Sequence, residues 1–76
     1  MTLDVLKDDE VALIIDIDAS DELKNRFFSF GFIKGRKIKK ISSSLRKSTL
    51  MVELENSCVI LRANEAKTIK IQKITQ

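Results

Sequence analysis

The sequence predicts a mainly β protein: about five strands and one short helix, closed into a small, strongly bent barrel. Three observations carry this expectation. Beyond Gly35 the chain runs through four apolar stretches rich in Val, Ile, Leu and Thr, separated by short polar ones. One segment alone, between Ser20 and Gly31, shows helical spacing. Seventy-six residues are too few for two cores, because a chain of this size buries only a little over roughly 60% of its unfolded surface. A closed sheet then removes exposed edges with the fewest residues, so residues 1–76 are read as one domain.

The elements follow in order. "EVALIIDI", residues 10–17, alternates in part, which places Val11, Leu13, Ile15 and Ile17 on the buried side of a first strand and Asp16 on the other. Ser20 is the N-cap candidate for the helix, Asp21 and Glu22 suit its positive end, and Gly31 supplies the left-handed stop. Strands are expected in "RKIKKISS", "TLMVELE", "CVILR" and "TIKIQKI". Leu50, Val52 and Leu54 alternate with Met51, Glu53 and Glu55, giving one buried and one wet face. "ENS", residues 55–57, reads as a tight hairpin turn and "SSSLRKS", residues 42–48, as a longer loop. Strict alternation from Ile38 would turn Lys40 inward and Ile41 outward. A bulge near Lys39 is the expected escape, with burial of the Lys40 stem as the alternative.

Composition excludes several function classes. The chain has no His and one Cys, so it lacks the usual zinc or transition-metal cluster and any Cys/His or Ser/His pair for nucleophilic catalysis. Neither glycine lies in a phosphate-binding fingerprint. No enzyme, no cofactor and no resident metal are expected; Cys58, Asp16, Asp18, Glu53 and Glu55 are the only candidate ligands for a transiently held metal ion. The longest uncharged apolar run, "VALII", is far short of the roughly 18 residues of a membrane span. "MTLDVLKDDE" does not have the charge order of a secretory signal. With a lone Cys58, expected to be a small packed or half-exposed residue, these features point to the cytosol.

Net charge is +3, and it is concentrated: "KGRKIKK", residues 34–40, carries five basic groups and "LRK", residues 45–47, two more. Such a stretch is either a solvated face or an electrostatic contact surface. One alternative function is therefore a small nucleic-acid-binding barrel that uses residues 34–47, although no Tyr, Trp or His is present for base stacking.

All four aromatic residues fall in "RFFSFGF". Phe27 and Phe30 share the helix face of Leu23 and are expected in the core, with Phe32 as a plug beneath the helix. Phe28 lies 100° from Phe27 in projection, one turn beyond Lys24. It is expected at the core edge, where exposure would make it a docking anchor.

The order of residues carries further information. Leu23, Arg26, Phe27, Phe30, Gly31, Phe32 and Gly35, then an Ile-rich strand, a loop, an apolar hairpin, Leu61, Arg62, Glu65, Ala66 and Ile69 resemble the pattern of the FeoA family of small ferrous iron transport proteins. The resemblance runs from about residue 3 to 73. It implies an SH3-like five-stranded β-barrel in the cytoplasm. It further implies a partner, the membrane iron transporter FeoB, whose assembly or activity the protein supports. Phe28, Lys37, Lys39, Leu45, Arg46 and Lys47 are the candidate partner-binding residues, Arg46 doubling as a candidate arginine finger toward the transporter's GTP-binding domain. Arg26, Arg62 and Glu65 are expected to serve structure, by pairing or by holding backbone carbonyls, and Glu65 and Ala66 to form one helical turn capped by Asn64. The family's glycine before the first strand is missing from "LKDDEV", the proline often seen before Gly35 is Lys34, and the Pro-flanked loop is "SSSLRKS".

Overall fold

A computed structural model describes residues 1–44, 46 and 48–74. Its elements run in the order 3-10 turn Leu3–Val5, β1 Val11–Ile17, α1 Asp21–Phe30, β2 Lys37–Ser43, β3 Thr49–Glu53, β4 Cys58–Arg62, α2 Ala63–Ala66 and β5 Ile69–Lys73. The five strands form one antiparallel sheet in the order β4-β3-β2-β1-β5. The 3-10 turn was not foreseen, because three residues carry no period. Leu3, its first residue, and Leu6, just beyond it, are buried.

The phase of β1 is opposite to the expected one. Ala12 and Ile14 are buried, paired with Ile38 of β2 and Ile71 of β5 respectively. Val11 and Leu13 are only half-buried, opposite Lys39 and Lys37, and Ile15 is exposed. Parity in an all-apolar run is undetermined by that run; it is set by what stands across the ladder. A register shift between Ile14 and Asp16 then restores Ile17 to the edge of the core.

Lys40 is turned inward, and it is the one buried charged residue among those described, 8% exposed. Its Nζ donates to the Leu6 carbonyl at 2.8 Å and lies 3.6 Å from Asp8 Oδ1. The bulge expected near Lys39 falls one step later, between Lys40 and Ser42. Alternation therefore persists through Lys40, whose stem fills core space while its ammonium reaches a backbone carbonyl.

The helix end is a Schellman arrangement. Gly31, at φ 98°, donates to the Phe28 carbonyl at 3.0 Å, and the Phe32 N–H donates to the Phe27 carbonyl at 3.0 Å. The hydrophobic contact of that motif is the Phe27–Phe32 pair, edge to face with centroids 5.4 Å apart. At the other end Ser20 Oγ accepts from the Leu23 N–H. Phe27 and Phe32 are buried as expected, whereas Phe30 is 42% exposed. Phe30 lies in the last turn, 60° off the line of Phe27, where the chain is already leaving the barrel.

Asp9, within the "LKDDEV" stretch that lacks a glycine, has φ 69°. Its N–H donates to the Lys40 carbonyl at 2.8 Å, which pins it in the left-handed region. Asp9→Gly is expected to raise stability by roughly 0.5–1 kcal/mol, because Asp tolerates this region less well than Gly. The 4.0 Å contact of Asp9 with Lys39 is too exposed to offset that gain. An unchanged or lower melting temperature would refute the strain.

Two carboxylates titrate below their ordinary range. Glu10 is held down by the Lys7 N–H at 2.7 Å and by Lys73 at 2.9 Å. Asp16 is held down by the Ile17 N–H at 2.9 Å and by Lys34 at 3.4 Å. A depressed carboxylate contributes stability above its unfolded value and loses it as pH falls through the folded one. The denaturation midpoint is therefore expected to hold above the ordinary values of 4.5 and 3.8 and to fall below them. The double variant Glu10→Gln with Asp16→Asn should show a flatter decline; an identical acid limb would remove both groups from the account.

Candidate docking surface

Phe28 is the most exposed large apolar residue among those described, at 66%. It lines a groove of about 360 Å³ together with Asp16, Ile17, Lys24, Phe32, Ile33 and Lys34. Helix α1 presents Lys24 and Phe28 one turn apart. The turn that follows Gly31 brings Ile33 and Lys34 to the same groove, with Phe32 buried at 1% exposure as its apolar base. Asp16, released outward by the β1 register shift, meets Lys34 there at 3.4 Å. Phe28 is thus fully outside the core edge where sequence reasoning put it. Ile33 went unrecognised as its neighbour, because nothing in "FIKG" fixes the path of the chain beyond the cap.

The predicted partner-binding residues are not gathered in one place. Lys37 and Lys39 line a different groove, of about 510 Å³, with Val11, Arg36, Ile38, Glu53, Leu54 and Glu55. The two grooves share no lining residue. Arg46 is exposed in the connection between β2 and β3, and Leu45 and Lys47 lie outside the described residues. The basic stretch is only partly free. Lys34 pairs with Asp16, Arg36 donates to the Gly31 carbonyl at 3.3 Å, Lys39 faces Asp9 and Lys40 is buried. Lys37 alone of the five has no partner among the described residues.

Several motif residues make contacts within the fold, whereas the Arg62 side chain, expected to pair or to hold a carbonyl, has no partner among the described residues. Arg26 of α1 pairs with Glu65 at 3.2 Å, tying the helix to the short turn α2. Glu65 Oε1 also accepts from the Arg62 backbone N–H at 3.0 Å, so the N-cap of α2 is Arg62 and not Asn64 as expected. The Arg62 side chain is itself exposed. Leu61 and Ala66 belong to the core. Gly35 has φ 86° and donates to the Ile14 carbonyl at 2.7 Å, closing the turn into β2. Cys58 is exposed at the start of β4, opposite Glu53. Among the described residues no three His, Cys, Asp or Glu side chains gather as a metal site would require, and no helix is long and apolar enough to cross a membrane.

One five-stranded antiparallel sheet around a single core, with a short helix fastened to that core by Phe27 and to α2 by the Arg26–Glu65 pair, defines the class: a small SH3-like barrel. A FeoA structure from Chlorobium tepidum superimposes over 99% of this chain and 71% of its own, with TM-score 0.93 at 23% identity. A FeoA from Stenotrophomonas maltophilia, solved with zinc and described as a prokaryotic SH3 domain protein, matches over 95% of this chain and 89% of its own, with TM-score 0.83 at 25% identity. An Fe(2+) transport protein A of Campylobacter jejuni is 58% identical over 74 residues, 97% of this chain and 100% of that protein. The FeoA domain model matches residues 1–73, and the chain belongs to the FeoA family.

Proposed function

We propose that the protein is a cytosolic accessory component of ferrous iron uptake that docks on a FeoB-type membrane transporter and supports its assembly or activity, with no chemistry of its own. Family membership and the Fe(2+) transport protein relative support the process. The observation that carries the docking reading is Phe28: a large aromatic exposed beside Ile33 in a groove, on a protein that buries Phe27 and Phe32 completely. Exposed aromatics in partly formed pockets are the usual anchors of protein interfaces. The nucleic-acid alternative has less support, because Lys40 is buried and Arg36 is turned to the Gly31 carbonyl, which leaves three of the five basic groups in residues 34–40 at the surface.

Phe28→Ala is expected to weaken transporter-dependent uptake of ferrous iron in cells, by about 2 kcal/mol or more of docking affinity. Its melting temperature should stay near that of the parent, because surface substitutions usually change stability by within about 0.5 kcal/mol. Normal uptake by a normally stable variant would remove Phe28 from the interface.

A further inference from the structure

We propose that the Phe28 groove receives an acidic, apolar segment of the partner, large apolar side chains entering the groove and a carboxylate meeting Lys24. This rests on the docking reading above and specifies the chemistry of what docks. The lining divides into an apolar set, Ile17, Phe28, Phe32 and Ile33, and a charged set, Lys24, Lys34 and Asp16. The charged set is not balanced. Asp16 is already committed to Lys34 at 3.4 Å and to the Ile17 N–H at 2.9 Å, while among the described residues no carboxylate pairs with Lys24. An occupant therefore meets apolar surface with one uncompensated ammonium beside it, one helical turn from Phe28. Complementarity calls for a carboxylate next to apolar side chains.

Two other occupants fit less well. A second copy in a two-fold pairing would present the same patch on both sides and bring the lysines of each rim toward the other. A bilayer takes up a broad apolar face, whereas the exposed apolar residues here are two, Phe28 and Ile33, with the Asp16 carboxylate beside them to repel anionic headgroups. A groove accepts side chains from a partner segment, which the flat acyl boundary does not offer.

The test is capture of the detergent-solubilised FeoB-type transporter by the full chain, with Phe28→Ser, Lys24→Glu, Lys24→Arg and Lys67→Glu compared after melting curves confirm that each is folded. Lys67 is exposed and lines neither groove, so it controls for net charge. Capture is expected to fall about tenfold or more with Phe28→Ser and with Lys24→Glu, and to persist with Lys24→Arg and Lys67→Glu. Equal losses from Lys24→Glu and Lys67→Glu would overturn the carboxylate contact while leaving docking intact. Binding of the parent to phosphatidylglycerol vesicles without transporter, lost in Phe28→Ser, would assign the groove to lipid and overturn the proposal. No capture by the parent protein would instead sink the docking reading itself.

Discussion

Truncation of Phe27 to alanine is expected to lower the unfolding free energy by about 3–5 kcal/mol. The side chain is completely buried, stands edge to face on Phe32, and joins α1 to the single core. A 76-residue domain has a total of roughly 4–11 kcal/mol available, so this one change removes a large share of it. Urea denaturation of Phe27→Ala, with Phe27→Leu as the milder member of the pair, would show the effect. A loss under about 1 kcal/mol would mean that α1 does not unfold with the sheet. The contrast with Phe28→Ala separates the two jobs of the aromatic cluster: adjacent residues, one fastening the helix and the other facing solvent.

The second large effect is expected at Lys40. Lys40→Ala removes both a packed stem and a charge-assisted hydrogen bond, for a combined loss of about 3 kcal/mol. Lys40→Met keeps most of the stem and leaves the buried Leu6 carbonyl without its donor, for about 1–2 kcal/mol. The difference between the two variants measures packing; the residual loss in the methionine variant measures the bond. Since Lys40 holds residue 6 through its side chain and Asp9 through its carbonyl, amide exchange in the segment before β1 should accelerate in both. A methionine variant as stable as the parent would show that the ammonium contributes nothing to holding that segment.

Much of this molecule was legible from residue order. Ser20 and Gly31 bound α1 as expected, and the alternation of Leu50, Val52 and Leu54 gave the buried face of β3 and the turn after it. The "ENS" turn was also placed correctly, with the Leu54 N–H donating to the Ser57 carbonyl across it. These features are local: a cap, a left-handed stop and a two-residue period each act within a few positions. The candidate site was legible only in its anchor. Phe28 was singled out by its angle from Phe27, whereas Lys24 entered only as its neighbour one turn earlier and was not among the candidates. Ile33, Lys34 and Asp16 reach the groove through a turn and a register shift that no periodicity encodes.

By itself, then, the amino-acid order determined the class of fold, the family pattern and the helix with its two ends. Only the tertiary structure decided which way "VALII" faces, that Phe30 stays outside, that Lys40 goes inside, and that Arg36 turns to the Gly31 carbonyl. Each of these depends on what stands across the sheet or beyond a turn. A side chain's environment is a property of its neighbours in space, and those are set by register and closure over the whole chain.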